Sequence, residues 1–106
     1  MLNIKNIDDT HADISATDID TFQIAVETDS YEEGQTLQFQ ISESETAEPI
    51  INKIFSAEDA VFTVVLTENE KNRLSLENYL YRMTLLDTNG EKITTMSGNL
   101  TMKWGA

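Results

Sequence analysis

Thr67-Glu68-Asn69-Glu70, then Leu74 and Leu76, then Tyr79-Leu80-Tyr81-Arg82-Met83-Thr84-Leu85, then Asn89-Gly90, and finally Gly98-Asn99-Leu100-Thr101-Met102 is the run that decides how this 106-residue chain folds. Thr67 and Glu70 have capping-box spacing, in which each side chain satisfies an orphan backbone N–H at a helix start. The pattern predicts one short helix over residues 68–74. From Tyr79 the period changes to two. Tyr79, Tyr81, Met83 and Leu85 share one face and Leu80, Arg82 and Thr84 the other, which is the alternation of a strand. Asn and Gly both tolerate positive φ, so Asn89-Gly90 predicts a hairpin. Glu91 to Met96 is then the return strand, with a turn around Ser97-Gly98 and a last strand from Asn99 to Trp104.

The same period holds upstream. Phe22, Ile24 and Val26 alternate with Gln23, Ala25 and Glu27, and Leu37, Phe39 and Ile41 alternate with Gln38, Gln40 and Ser42. These read as half-buried strands with one wet face, as in antiparallel sheets. Tyr31-Glu32-Glu33-Gly34 reads as the turn between them. Ile50 to Phe55 has apolar residues on both faces, with Lys53 inside it, and it follows Pro49, which suits a strand's first residue or an edge. Ala57-Glu58-Asp59 is a turn, and Val61 to Leu66 a buried strand. Leu2, Ile4, Ile7 and Ile14 supply one or two edge strands, with residues 1–16 an edge strand or a flexible arm of a single domain over 1–106. Strands at roughly ten-residue spacing with turn punctuation predict an all-β domain, an antiparallel β-sandwich of about seven or eight strands or a small barrel. A tyrosine opening a late strand just after a helical turn is where an immunoglobulin-like sandwich places its tyrosine corner. The Tyr79 hydroxyl is expected to bond back to backbone near Arg73 to Ser75, and Tyr81 to take the inward position that a cysteine holds in disulfide-bonded members.

A single domain of this length buries roughly two thirds of its unfolded surface, enough for a core without staples. The absence of cysteine excludes disulfides and thiolate chemistry and fits a reducing compartment. No apolar run has signal-peptide or membrane-span length, so a soluble chain made in a cytoplasm is expected. The net charge is −12 and is unevenly placed. Residues 6–52 carry twelve Asp and Glu and no Lys or Arg, whereas residues 53–106 carry seven acids against six bases. Such a field repels nucleic acid and anionic membranes. It suits a basic partner, a divalent cation, or simple solubility.

Chemistry-bearing patterns are weak. His11 is the one histidine and lies in Asp8-Asp9-Thr10-His11-Ala12-Asp13, short of a zinc ligand set. Asp87-x-Asn89-Gly90 overlaps the start of a calcium loop, but Ser97-Gly98 falls where the closing glutamate belongs. The acidic pairs Glu32-Glu33 and Glu58-Asp59 sit in turns, and no Gly-x-Ser-x-Gly elbow or phosphate-binding glycine loop is present. No catalytic, cofactor-binding or metal residue is assigned, and no enzymatic activity is expected. Gln23, Gln38 and Gln40 are candidate partner contacts on wet strand faces. Trp104, beside Lys103, either packs the last strand or anchors a partner.

The ordered set of motifs resembles a family of phage and prophage β-sandwich domains that includes the N-terminal domain of baseplate upper proteins. The elements that carry the resemblance are Asp20-Thr21-Phe22-x-Ile24-x-Val26, Gly34-Gln35-Thr36-Leu37-x-Phe39-x-Ile41, Pro49-Ile50-Ile51-x-Lys53-x-Phe55 and Phe62-x-Val64-x-Leu66-Thr67. Leu76-x-x-Tyr79-x-Tyr81-x-Met83-x-Leu85, Asn89-Gly90 and Gly98-Asn99-Leu100-Thr101 complete it. Two positions depart: Ala16-Thr17-Asp18 stands for an Arg-Gly-Asp-like run, and Glu77 for a glycine. The resemblance implies a structural or assembly protein of a phage or prophage virion, in tail or baseplate. Its partners would be other virion or baseplate proteins, or further copies in a homo-oligomer. An adhesin-like module that binds carbohydrate or protein is the alternative.

Overall fold

The computed structural model describes residues 2–4, 13–17, 23–28, 31–74 and 76–103. Eight strands and one short helix follow in the order β1 (Leu2–Ile4), β2 (Ile14–Thr17), β3 (Gln23–Glu27), β4 (Thr36–Ser42), β5 (Ile51–Glu58), β6 (Val61–Val65), α1 (Glu68–Asn72), β7 (Asn78–Leu86) and β8 (Lys92–Lys103). The fold is all-β, as the alternation predicts. The hydrogen-bonded order is β1-β3-β6-β5-β4-β7-β8-β2, a single curled sheet.

The curl follows from which side chains are apolar. Ile24 and Val26, Leu37, Phe39 and Ile41, Phe62 and Val64, Tyr79, Tyr81, Met83 and Leu85, and Met96, Leu100 and Met102 are all buried. They lie on one side of the ladder, and a sheet with one apolar side removes it from water by wrapping around it. Cross-strand pairs fill the interior. Ile41 stands between Ile51 and Tyr81, and Phe39 between Lys53 and Met83. The Phe39 and Tyr81 rings meet diagonally, centroids 6.4 Å apart, and Tyr31 meets Phe62 edge-on at 5.9 Å.

β5 makes the ladder continuous. Residues 51–56 pair with β4, and Ala57 and Glu58 pair with Phe62 and Val61 of β6. Along most of its length β5 therefore pairs with β4 alone, and α1 stands near the gap. Its N-terminus has the expected capping box, with Thr67 and Glu70 bonded reciprocally, and it ends at Asn72 with Arg73 as the cap, just short of the expected Leu74.

Several expectations are corrected. The sheet is mixed rather than purely antiparallel, because β1 pairs parallel with β3 and β2 parallel with β8. Parallel neighbours need a crossover, and these strands have it because β1 and β2, consecutive in sequence, lie at opposite edges of the sheet. Ser97-Gly98 is not a turn. β8 runs through it unbroken, with Gly98 opposite Tyr81 and Ser97 opposite Arg82. Val61–Val65 is buried on one face alone, through Phe62 and Val64, while Thr63 is exposed. The Asn89-Gly90 segment does form a hairpin, but Gly90 alone takes positive φ, at 83°. The Asp87 carboxylate accepts the N–H groups of Asn89 and Glu91, at 2.8 and 2.9 Å, and organises the loop instead.

The β5–β6 turn is Asp59-Ala60 rather than Ala57-Glu58-Asp59. Both residues have positive φ, 53° and 64°, as a two-residue hairpin of mirror-image type requires. Aspartate tolerates this region; alanine pays a steric penalty of about 1–2 kcal/mol there. Glycine removes that penalty but adds about 0.4–1 kcal/mol of freedom to the unfolded chain. Ala60→Gly is expected to stabilise by about 0.5–1 kcal/mol, read as a raised thermal midpoint. A lowered midpoint would contradict the strained turn.

Candidate interaction surface

The convex side of β5, β4, β7 and β8 is built by the residues that alternate with the core. Register stacks them in rows across four strands. Ile54, Gln38, Thr84 and Thr95 form one row, and Asn52, Gln40, Arg82 and Ser97 the next. Ser42, Leu80 and Asn99 continue the face toward the β4–β5 loop, and Thr36, Ser56 and Leu86 toward the other end. Gln38 and Gln40 thus stand side by side with Thr84 buried beside them, and Gln38 Nε2 donates to Asn52 Oδ1 at 2.9 Å. Ile54 is 63% exposed next to Gln38.

These rows carry no carboxylate; Glu58, exposed on the same side of β5, lies past them, opposite Val61 of β6. Most of the described acids lie in loops, turns or α1: Glu32 and Glu33, Glu43, Glu45 and Glu48, Asp59, Glu68 and Glu70, Asp87 and Glu91. Asp13 reaches only the margin, where Oδ1 accepts the Asn99 backbone N–H at 3.0 Å. Apart from Arg82, these rows are built of amides, hydroxyls and a few apolar side chains.

Not every expected contact belongs to it. Gln23 opens β3 opposite Val65 of β6, in the other half of the curl, so the structure does not bring it to Gln38 and Gln40. Trp104, His11 and Phe22 lie outside the described residues. Tyr79 is 2% exposed, and its hydroxyl accepts the backbone N–H of Leu76 at 2.8 Å, one residue past the expected window. Burial pushes the Tyr81 phenol up to about 12, and the nearby Asp13 carboxylate adds to the shift, so the hydroxyl keeps its proton at neutral pH.

Two features of this region escape the sequence reading. The first is a groove of about 290 Å³ beneath the β4–β5 loop, lined by Gln40, Ser42, Leu80, Arg82, Ser97 and Gly98 and walled by Ser44, Glu45, Ala47 and Pro49. Its polar residues are legible as the wet positions of three strands, but their meeting depends on register. The second is the role of Lys53. It occupies an inward position opposite Phe39, and its stem carries the ammonium out to the gap beside β5. There Nζ donates to Glu70 Oε1 at 2.9 Å and to the Val65 carbonyl at 3.0 Å, and stands 5.3 Å from the Phe55 ring centroid. One lysine thus ties β5, the end of β6 and α1 together.

Burial alone would raise the Glu70 carboxyl, but bonds from Lys53 and from the Thr67 backbone and hydroxyl outweigh it and leave it below its ordinary value. A carboxyl lowered on folding adds stability that is full above the unfolded value, about 4.3, and is lost as pH falls through the folded one. Glu70→Gln is therefore expected to flatten the acid limb of the stability curve below about pH 4.3, measured by urea unfolding at stepped pH. An unchanged acid slope would remove Glu70 from acid stability.

Among the described residues no group of three or more His, Asp or Glu is placed to hold a metal, and no helix is long and apolar enough to cross a membrane. No protein-family model matches the chain, and no curated protein matches it.

Proposed function

We propose that this chain is a non-catalytic structural and assembly module of a phage or prophage virion, of tail or baseplate type, that works by covering the convex face of β5, β4, β7 and β8 with a partner protein. The observation that carries the reading is that the rows running across these four strands hold no carboxylate in a chain of net charge −12. Interface cores are depleted of charge, and Arg82 is the single charged side chain in the two central rows, whereas a surface kept only for solubility has no reason to exclude acids from them.

Strand order supports an immunoglobulin-like scaffold behind the face. The succession β1-β3-β6-β5 parallels the A-B-E-D sheet, and β4-β7-β8 parallels C-F-G, with β5 crossing from one to the other. A short helix before β7 and a buried Tyr79 bonded back to the Leu76 backbone support the same scaffold, since such sandwiches carry a tyrosine at the start of the corresponding strand. The resemblance of the ordered motifs to baseplate β-sandwich domains gives the virion assignment. The chain is then made in the bacterial cytoplasm and incorporated into the particle.

The test is co-expression with the structural proteins encoded beside it, followed by size-exclusion chromatography and mass spectrometry of purified particles. Gln38→Glu combined with Gln40→Glu should leave folding stability within about 0.5 kcal/mol of the parent and abolish co-elution, while Gln23→Glu leaves co-elution intact. Particles that lack the chain, or a complex indifferent to the double variant, would overturn the proposal.

A further inference from the structure

We propose that the groove beneath the β4–β5 loop is a carboxylate-accepting subsite that takes one acidic side chain from an extended segment of a partner protein. It deepens the interface reading above and rests on it for the partner's docking, but not for the chemistry of the groove itself.

Arg82 lines the groove. Among the described residues its guanidinium has no ion pair and no side-chain hydrogen bond, although the chain carries twelve more acids than bases. Other bases are occupied by their own chain: Lys53 by Glu70, Lys71 by Glu68, and Arg73 by the Ile50 carbonyl at 2.7 Å. Lys92 is exposed at the other end of β8, away from the groove. Glu45 also lines the groove, yet it forms no ion pair with Arg82. An acid-rich chain that leaves this arginine unmatched within a recess keeps a planar donor fork available there.

The surroundings fit a carboxylate. Gln40 and Ser97 flank Arg82 in the same cross-strand row, so an amide and a hydroxyl stand beside the guanidinium. Ser42 adds a second hydroxyl, and Leu80 and Pro49 supply apolar wall, while Arg82 itself is open to solvent. Guanidinium and carboxylate pair through two parallel bonds, a geometry that lysine does not reproduce. At about 290 Å³ the recess lies at the small end of ligand sites, the scale of a side chain rather than of a folded element. The surrounding negative field penalises a dianion more than a single charge, which favours carboxylate over phosphate. The same field opposes a second copy of this chain as the occupant, since two molecules of net charge −12 repel.

Two-dimensional NMR on the whole chain tests this. The probes are a capped five-residue peptide with one central glutamate, its glutamine analogue, and inorganic phosphate, each titrated to millimolar concentration at low salt. The glutamate peptide should give saturable shifts at the Arg82 Nε–H, the Gln40 side-chain amide and the Ser97 and Gly98 backbone. Arg82→Gln should weaken binding at least tenfold while the rest of the spectrum keeps its dispersion, and Arg82→Lys should weaken it less. Absent shifts, equal shifts with the glutamine peptide, stronger shifts with phosphate, or concentration-dependent dimer shifts on this face without peptide would each overturn the subsite. Co-elution with virion proteins that survives Arg82→Gln would leave the face in place and remove the groove, so the two readings fail separately.

Discussion

Phe39→Ala is expected to lower stability by about 3–5 kcal/mol, the usual cost of emptying a fully buried aromatic site. Phe39 has no exposed surface. It sits in β4, a strand paired along both sides, between Lys53 of β5 and Met83 of β7, with its ring against that of Tyr81. Neighbours held by two ladders have little freedom to close the space, which places the loss toward the upper end. Against a total stability of about 5–15 kcal/mol, the variant is marginal. Phe39→Leu keeps most of the volume and should lose less than half as much. Urea midpoints at constant slope are the measurement. A Phe39→Ala loss below about 1 kcal/mol would mean the core is not packed as described. The consequence reaches the outer surface, because Gln38 and Gln40 are held in their rows by the strand that Phe39 anchors. Phe39→Leu should therefore weaken partner capture more than its stability loss accounts for.

What the sequence made legible is what depends on near neighbours. Alternation in Leu37 to Ile41 and in Tyr79 to Leu85 places each side chain in or out, because β geometry sets the period whatever the strand pairs with. The Thr67 to Glu70 box is likewise closed within four residues. Pairing partners are different. Parallel edges at β1 and β2, the passage of β8 through Gly98, and the Asp59-Ala60 turn are set by contacts distant in the chain. Gly98 illustrates the limit. Locally it is a turn residue, and in the sheet it is a strand residue facing a tyrosine. The candidate site divides in the same way. Gln38 and Gln40 are legible as a wet face, but identical local patterning puts Gln23 in another part of the sheet. Arg82 is visible as a polar position, whereas its lack of a partner among the described residues is a property of the assembled rows.

Tyr79→Phe is expected to lower stability by about 1–3 kcal/mol, through loss of a hydrogen bond in a site too enclosed for water to replace it fully. The hydroxyl is the only atom removed, so neither a cavity nor a change of rotamer confuses the result. The bond it makes, accepting from the Leu76 N–H at 2.8 Å, fixes the entry into β7 just after α1. The adjoining residue takes part in a second tie, since the Glu77 carbonyl accepts the Met102 N–H of β8 at 2.7 Å. Loosening the first is expected to strain the second, because both hold the same two-residue segment to the end of the sheet. Hydrogen exchange reads this locally. The Leu76 and Met102 amides should exchange faster in the variant, while amides of β4 follow only the global change. Ser97, Asn99 and the groove lie on the strand that this tie holds, so the acidic-peptide titration should also weaken. An unchanged urea midpoint, with Leu76 and Met102 exchanging as in the parent, would strip the tyrosine of its corner role. It would also leave the immunoglobulin-like scaffold resting on strand order alone.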